Sequence, residues 1–361
     1  MAFSSFSKKI TTKFLSLFRM QDRRKFITKI GLATIAGMFL PEKLAAMPSF
    51  EKRRTLKAPA LHGGDTVAIT SPAGAVWDKE GIDTFAEILK SFGFKVIIGK
   101  TLTEKFGYFA GTDEFRAKEL NDLFADKNVK GIFCMKGGWG CARILDKLDY
   151  TVIEKNPKVL IGFSDITSLL IAIHQRTGLI TFHGPVGNSG WNDFTRDVFL
   201  NVIINGKAIT YPENPFKEEK ITCIKEGIVK GELIGGNLTV LSSLIGSNYL
   251  PDWKGKILFL EEAKEEPYSI DRMLMQLKLS GVLQEISGFI FGKCAKCLAE
   301  EPERAFTFEQ VLKQYIEPLK IPAFYGAMIG HIENKLTLPI GLTIQMDASK
   351  GQIILLEGAV G

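Results

Sequence analysis

The chain has 361 residues, of which 45% are hydrophobic and 24% charged, proportions typical of a globular protein with room for two domains. Its formal net charge of +6 is concentrated at the start. Residues 1–46 hold nine Lys or Arg and two Asp or Glu, a balance of +7 that leaves −1 for the remainder. The body therefore has no charge excess that would attract nucleic acid, and we expect no nucleic-acid partner.

The first 46 residues have the features of an export signal. Residues 22–29 (DRRKFITK) resemble a twin-arginine motif, an apolar run follows at 30–40, and small residues at 44–46 offer a peptidase site. The run is too short to span a bilayer, which takes about twenty residues. We predict a cleaved twin-arginine-type signal, a periplasmic protein and no stable membrane span after cleavage. An uncleaved leader that tethers the protein to the membrane is the alternative.

After a polar linker at residues 47–61, strand and helix patterns alternate. Four apolar runs predict buried strands, at residues 65–70, 94–99, 131–135 and 158–161. Amphipathic segments predict helices between them, at residues 82–92, 115–124 and 142–148. Such alternation is typical of a parallel sheet covered on both faces. We therefore predict an N-terminal α/β domain over residues 62–186, with its site beyond the carboxyl ends of the strands.

The pattern changes after residue 186. Residues 187–222 are rich in Asn, Gly, Pro and charge, which predicts a connection. Short strand patterns then dominate residues 223–361, at 228–234, 256–260, 288–292, 336–338, 342–346 and 352–356. Helical patterns interrupt them at 269–279 and 308–315. We predict a C-terminal, strand-rich, mixed α+β domain.

Residues 158–167 (KVLIGFSDIT) form the most informative stretch. A strand ends at Gly162, and apolar residues spaced by three and four begin a helix after Ser164. Ser164 is therefore predicted on a tight strand-to-helix turn, beside the free N–H groups of the helix, as in a nucleophile elbow. A helix cap formed by Ser164 or Asp165 is the alternative explanation.

Three other groups of residues could take part in chemistry. The glycines of residues 136–140 (KGGWG) allow backbone N–H groups to approach a phosphate or an oxyanion, or simply form a tight turn. Glu261 and Glu262 end a strand, and because neighbouring side chains in a strand point opposite ways, only one faces a given pocket. His183 and His331 each lie at a strand end, in a structural or a catalytic role.

The five cysteines are scattered, and Cys294 and Cys297 form a lone Cys-x-x-Cys. The second Cys pair or the His spacing of a zinc site is missing, so no metal is expected. We expect Cys294 and Cys297 to be packed thiols, with a local disulfide after export and a redox role as alternatives.

Taken together, these segments resemble the LD-carboxypeptidases, serine peptidases that include murein tetrapeptide carboxypeptidase and the microcin C7 immunity hydrolases. The resemblance covers about residues 60–358. It rests on seven landmarks in order, at residues 64–73, 136–140, 162–167, 231–238, 260–262, 268–274 and 330–331. It implies an N-terminal domain like flavodoxin or class I glutamine amidotransferases, a mixed, partly barrel-like C-terminal domain, a homodimer, and no cofactor.

The resemblance also implies which residues form the site. The Ser–Glu–His triad of the family falls on Ser164, Glu261 and His331. His331 would take the serine proton, and Glu261 would orient the imidazole and stabilise its charged form. The backbone N–H groups of Asp165 and Gly138 would hold the oxyanion.

The implied reaction is hydrolysis of the L,D amide bond that releases terminal D-Ala from a murein tetrapeptide. Gly137, Trp139 and Lys136 are expected to contact this muropeptide; Lys136 stands where the family often has Arg, and Trp139 where it often has Tyr. One alternative keeps the triad but takes a peptidyl nucleotide, with Trp139, Trp191 or Tyr249 as an aromatic clamp. A non-catalytic periplasmic binding protein, which needs no nucleophile, is a further alternative.

Overall fold

The computed structural model describes residues 54–213, 215 and 220–361. The export signal predicted for residues 1–46 and the first residues of the predicted linker lie outside this part of the chain. Within it, no helix combines the length and the apolar character needed to cross a bilayer. The described residues fold around two sheets, which define a first and a second lobe.

The α-helices of the described chain are α1 (Lys79–Ser91), α2 (Asp113–Ala125), α3 (Tyr150–Lys155), α4 (Thr167–Thr177), α5 (Asp193–Phe199), α6 (Leu238–Ser243), α7 (Pro267–Leu279), α8 (Val282–Glu285) and α9 (Phe308–Ile316). The strands are β1 (Thr66–Thr70), β2 (Lys95–Ile98), β3 (Val129–Cys134), β4 (Val159–Gly162), β5 (Thr181–His183), β6 (Thr222–Lys225), β7 (Ile228–Asn237), β8 (Ile257–Ala263), β9 (Gly288–Ala295), β10 (Ala323–Tyr325), β11 (Leu338–Ile340), β12 (Thr343–Asp347) and β13 (Gln352–Leu355).

The first lobe is built on a sheet with the order β11-β5-β4-β3-β1-β2. Strands β1 to β5 pair in parallel, as the alternation of strand and helix patterns predicted. The central strand β4 is buried along its whole length because its residues are apolar and helices cover the sheet. Strand β11 joins β5 antiparallel, although it lies within the residues 223–361 predicted for the second domain.

The second lobe is built on a sheet with the order β13-β12-β7-β8-β9-β10-β6. Strands β7 to β10 run parallel at its centre, and antiparallel strands flank them, which confirms the mixed sheet predicted for this half. Its core contains fully buried aromatic rings, including Phe259, Phe289 and Phe291. Burying one such ring stabilises the fold by roughly 2–3 kcal/mol.

Local structure differs in detail from the sequence patterns at three places. The helix predicted for residues 142–148 is present as a 3-10 helix (Cys141–Lys147) that begins directly after Gly140. The predicted connection 187–222 contains α5, whose N-cap Asn192 accepts the N–H of Thr195 at 3.0 Å. Cys294 and Cys297 form a disulfide with a Cα–Cα distance of 5.4 Å, so the expectation of two packed thiols was wrong.

Candidate active site

The turn that carries Ser164 begins where β4 ends. Ser164 has a φ of 63°, in the left-handed region that a residue with a side chain adopts at a cost of about 1–2 kcal/mol. A Cβ on Gly162 would lie 2.7 Å from Ile166 Cγ2, so only glycine permits so sharp a turn. A 3-10 helix (Ser164–Ile166) then leads into α4. The turn presents Ser164 to a cavity at the carboxyl edge of the sheet.

The glycine-rich loop 136–140 lies directly against this turn. A Cβ on Gly137 would lie 2.8 Å from Ser164 Cβ and 3.2 Å from the backbone N of Asp165. Gly138 has a φ of 122°, which favours glycine, and it lines the same cavity as Ser164 and Asp165. The two backbone N–H groups predicted to hold an oxyanion therefore belong to one cavity wall.

Two buried side chains hold this loop beside the turn that carries Ser164. The Asp165 carboxylate accepts the N–H of Cys141 at 2.8 Å, and burial raises the pKa of Asp165 while hydrogen bonds from Cys141 oppose that rise. Fully buried Arg116 donates to the carbonyls of Gly140 at 3.0 Å and Pro72 at 2.5 Å. Arg116 was not predicted from sequence, since an arginine on a helix carries no local sign of burial.

The second lobe supplies a Glu–His pair. His331 Nδ1 donates to Glu261 Oε2 at 2.8 Å, which leaves Nε2 for a reacting proton. Glu261 is fully buried, and its Oε1 has no hydrogen-bond partner among the described residues. A Cβ on Gly330 would lie 2.8 Å from Glu261 Oε2. The close approach of the segment before His331 to the Glu261 side chain therefore depends on this glycine, whose φ is 120°.

Glu262 serves a different contact from its neighbour Glu261. Its carboxylate accepts the side-chain amide of Asn237 at 2.9 Å and the backbone N–H of Thr239 at 2.8 Å, in the first turn of α6. Burial raises the pKa of Glu262, and these hydrogen bonds oppose the rise. Side chains alternate between the two faces of a strand, so the two carboxylates have different partners, and Glu261 is the one that contacts a histidine.

A cavity of about 290 Å³ lies between the lobes. The first lobe lines it with Gly138, Trp139, Ser164 and Asp165. The second lobe lines it with Asn237, Thr239, Val240, Ser243, Glu262, Ala263, Lys264, Glu265 and His331. Ser164, His331 and the two predicted oxyanion residues thus share one cavity, and Glu261 reaches it through His331.

The residues predicted to contact substrate are placed differently from one another. Trp139 is 46% exposed and lines the cavity. Lys136 is not among the lining residues, and its Nζ donates to the carbonyl of Ala75 at 3.4 Å. Trp191 packs against Phe92 in the first lobe, and Tyr249 lies beneath the guanidinium of Arg176. Of the three aromatic residues considered as a clamp, Trp139 is the one at the cavity.

Lys264 and Asn237 are cavity residues that sequence reasoning missed. Lys264 follows the two carboxylates at the end of β8 and has a φ of 63°, which turns the chain as it leaves the strand. Asn237 ends β7 and caps α6, and its backbone N–H donates to Thr167 Oγ1 at 3.1 Å. Asn237 is the last residue of a strand and Lys264 directly follows one, and this position at a strand end is the one signal that could have drawn attention to them.

Buried groups surround the imidazole of His331. The ring of Phe163 lies edge-on to it at 4.8 Å between centroids, and the ring of His183 lies 5.9 Å from Phe163. Burial lowers the pKa of His183 to about 4. Lys335 Nζ lies 5.5 Å from the Phe163 ring centre, and burial lowers the pKa of Lys335 to about 8.

The two-lobed α/β fold places a serine and a Glu–His pair at one cavity, an arrangement typical of serine hydrolases. Family models described as the LD-carboxypeptidase N-terminal and C-terminal domains match residues 67–184 and 230–346. The chain belongs to the LD-carboxypeptidase family.

Individual relatives agree with this family. A Bacillus subtilis (strain 168) protein named "Probable murein peptide carboxypeptidase" is 38% identical over 84% of this chain and 95% of its own length. The Microcin C7 self-immunity protein MccF of Escherichia coli is 32% identical over 84% of this chain and 96% of its own.

Solved structures show the same architecture. Apo wild-type MccF superposes with a TM-score of 0.78 and 28% identity, covering 85% of this chain and all of that one. A muramoyltetrapeptide carboxypeptidase from Oxalobacter formigenes gives a TM-score of 0.71 and 28% identity, covering 81% of this chain and 99% of that one. The predicted parallel-sheet and mixed-sheet domains are confirmed by this likeness.

Proposed function

We propose that this protein is a serine carboxypeptidase that releases terminal D-Ala from murein tetrapeptides by hydrolysing the L,D amide bond. The observation that carries the proposal is the 2.8 Å hydrogen bond between His331 and buried Glu261, beside a cavity that His331 shares with Ser164. A buried carboxylate that holds an imidazole, with a strained serine on the same cavity, is the arrangement nucleophilic catalysis requires.

The chemistry follows from the placement of these groups. His331 takes the hydroxyl proton of Ser164, and Oγ attacks the carbonyl carbon of the amide. The N–H groups of Asp165 and Gly138 hold the resulting oxyanion, each at a benefit of roughly 3 kcal/mol in the transition state. His331 then protonates the leaving amine of D-Ala. Water repeats the sequence on the acyl-enzyme, with His331 again as base.

A carboxypeptidase must also bind the terminal carboxylate of its substrate, and Lys264 is our candidate for this role. Lys264 lines the same cavity as Ser164 and Gly138. An ammonium group recognises a carboxylate by a charge-assisted hydrogen bond. Trp139 is our candidate for apolar contact with the remainder of the peptide at the rim of the cavity.

The names of relatives support a murein peptide as the substrate class. A Bacillus subtilis relative is named for murein peptides, and the Oxalobacter formigenes structure is a muramoyltetrapeptide carboxypeptidase. These names concern those proteins; for this chain they choose the substrate to be tested first.

Mass spectrometry of murein tetrapeptide after incubation with purified protein tests the proposal, with Ser164→Ala as the control. Loss of one alanine with the wild type alone supports both reaction and nucleophile. Loss with neither protein rejects the tetrapeptide as substrate. Equal loss with both rejects Ser164 as nucleophile. Binding of the peptide without turnover by either protein would indicate the alternative of a binding protein.

A peptidyl nucleotide is the second candidate substrate, because the likeness to MccF, with a TM-score of 0.78, is the higher of the two structural matches described. Trp139 is the cavity aromatic that could stack on a base, which supports this candidate. Hydrolysis of a peptidyl adenylate, slowed by Trp139→Ala more than tetrapeptide hydrolysis is, would favour it. Equal effects on both substrates would count against it.

We also propose that the protein is exported through its twin-arginine-type leader and acts as a homodimer in the periplasm. Replacing Arg23 and Arg24 with lysine should then retain the protein in the cytoplasm, as cell fractionation would show. Light scattering after gel filtration should give twice the monomer mass. A monomer mass, or export unaffected by the replacements, would contradict the respective proposal.

A further inference from the structure

A buried lysine, Lys335, contacts residues next to Ser164 and His331. Lys335 is 6% exposed, and besides its electrostatic attraction to the carboxylates of Glu261 and Glu333 its ammonium makes two contacts. Nζ donates to the carbonyl of Ile332, the residue directly after His331. Nζ also lies 5.5 Å from the ring centre of Phe163, the residue directly before Ser164. One side chain therefore touches the neighbours of both the nucleophile and the base.

The ring of Phe163 transmits one of these contacts to the imidazole. Phe163 is 7% exposed, and its ring meets that of His331 at 4.8 Å and an angle of 64°. A cation over an aromatic face attracts the ring and restricts its position. The position of the ring in turn limits the positions that the imidazole can occupy.

The backbone around Lys335 is fixed independently of its ammonium. The N–H of Lys335 donates to Thr195 Oγ1 at 3.1 Å, and Asn334 accepts the side-chain amide of Asn192 at 2.6 Å. Both partners belong to the start of α5. Lys335 thus extends from an anchored backbone, so its ammonium has a defined place between the two loops.

Stability alone does not account for a lysine at this place. Burying an ammonium costs several kcal/mol before its partners compensate, and an apolar residue of similar volume is often as stable or more so. Methionine would fill the same space without that cost. The contribution of the charge is therefore better sought in geometry than in folding.

We propose that Lys335 is a positioning residue. It fixes the Phe163 ring and the backbone after His331 relative to each other, and so sets the distance between Ser164 and His331. The part of this inference that concerns reaction rate rests on the proposed function. The part that concerns the position of the imidazole does not, because it can be measured without substrate.

The test uses Lys335→Met, Lys335→Arg and Lys254→Met, an exposed lysine in the second lobe that serves as matched control. The imidazole Cε1–H resonance of His331 is followed by NMR; the chain has four histidines, and His331→Gln identifies the signal. We expect Lys335→Met to move this resonance by more than its line width, because the ring current of Phe163 changes. Lys335→Arg and Lys254→Met should leave it in place.

Kinetics on murein tetrapeptide supply the second measurement. A misplacement near 1 Å can cost on the order of a hundredfold, so we expect kcat of Lys335→Met to fall roughly 10- to 100-fold with KM within about threefold. Lys335→Arg should restore kcat to within about threefold of wild type, because it keeps the cation over the ring. The melting temperature should change little, which separates positioning from a structural role.

The outcomes are distinct. An unmoved His331 resonance in folded Lys335→Met overturns the proposal, as does a moved resonance with unchanged kcat, or failure of Lys335→Arg to restore either property. If wild type does not hydrolyse the tetrapeptide, the proposed function fails and the NMR result alone decides the inference. If Lys335→Met does not fold, Lys335→Gln, which keeps a donor for the Ile332 carbonyl, is measured with the same criteria.

Discussion

The regions around His183 and His331 place the same side chain against the same aromatic ring, with opposite results. His331 lies 4.8 Å from the Phe163 ring, donates to Glu261 and has a side chain 32% exposed at the cavity. His183 lies 5.9 Å from that ring, is 2% exposed, and its Nδ1 has no partner in the described chain. A carboxylate partner and an opening suit one imidazole to proton transfer, whereas burial keeps the other neutral.

The largest expected effect is the loss of kcat in variants of His331 and Ser164, and an equal loss in a variant of His183 would contradict this comparison. His331→Gln and Ser164→Ala should each lower kcat for tetrapeptide hydrolysis at least about a thousandfold, because neither residue works without the other. His183→Gln should retain activity within about tenfold, since its ring is buried and does not line the cavity. Steady-state kinetics with all three variants decides this. A loss in His183→Gln as large as that in His331→Gln would show that burial does not exclude a catalytic part.

The partner carboxylate is the next point of difference. Glu261→Gln should lower kcat roughly 10²- to 10⁴-fold, because a neutral amide neither fixes the imidazole tautomer nor stabilises its charged form. Glu262→Gln makes the same chemical change one residue away, where the carboxylate contacts Asn237 and Thr239. It should affect melting temperature more than kcat. Equal kinetic losses in the two variants would contradict the assignment of Glu261 as the partner.

A third experiment sharpens the comparison through the pH dependence of stability. The pKa of His183 falls from about 6.5 in an unfolded chain to about 4 in the folded protein, so the unfolded state binds the proton first as pH falls. The stability from neutral His183 is complete above pH 6.5 and is lost as pH falls through 4, a change of about 3 kcal/mol.

Urea unfolding of wild type and His183→Gln at pH 7 and pH 4 measures this loss. The two proteins share every other titrating group, so the difference between their slopes isolates His183. The variant should lose about 3 kcal/mol less than wild type over this interval. Stability–pH curves that run parallel would contradict a neutral, buried His183.

The smallest expected effect concerns the glycine beside His331. Gly330→Ala places a Cβ 2.8 Å from Glu261 Oε2 at a φ of 120°, so it should both strain the backbone by about 1–2 kcal/mol and push the Glu–His pair apart. Gly64→Ala is the matched control, with a φ of 93° and no atom within 4 Å of the new Cβ. Both variants should melt lower, but kcat should fall in Gly330→Ala alone. A fall of kcat in both variants would indicate a general loss of stability rather than a displaced Glu–His pair.

Sequence reasoning succeeded where the signal is local. Apolar periodicity located β4 and the turn at Ser164, because a strand that ends at a glycine and is followed by a helix can be recognised within about ten consecutive residues. Helix α7 was predicted within two residues of its start and at its observed end for the same reason. The 3-10 helix at Cys141–Lys147 shows the limit of such reasoning. Apolar periodicity indicates which face of a helix is buried, but it does not distinguish the i→i+3 hydrogen bonds of a 3-10 helix from the i→i+4 hydrogen bonds of an α-helix.

What could not be predicted depends on contacts between distant segments. The pattern at residues 336–338 indicated a strand, but the sheet that β11 joins is decided by packing around β5. Arg116 and Lys335 are single charged residues whose burial depends on carbonyls and rings from elsewhere in the chain. The spacing of Cys294 and Cys297 was compatible with a thiol pair or a disulfide, and periodicity does not distinguish the two.

Strand β11 makes the two lobes inseparable as building blocks. It follows the His331 loop by a few residues and completes the edge of the first sheet beside β5. A shortened gene that stopped at the end of the first lobe would leave β5 as a bare edge, open to pairing with strands of other molecules. A boundary near residue 222 would separate β5 from β11, and one after Ile340 would separate β7 from β12, so recombination between family members should keep both lobes from the same parent.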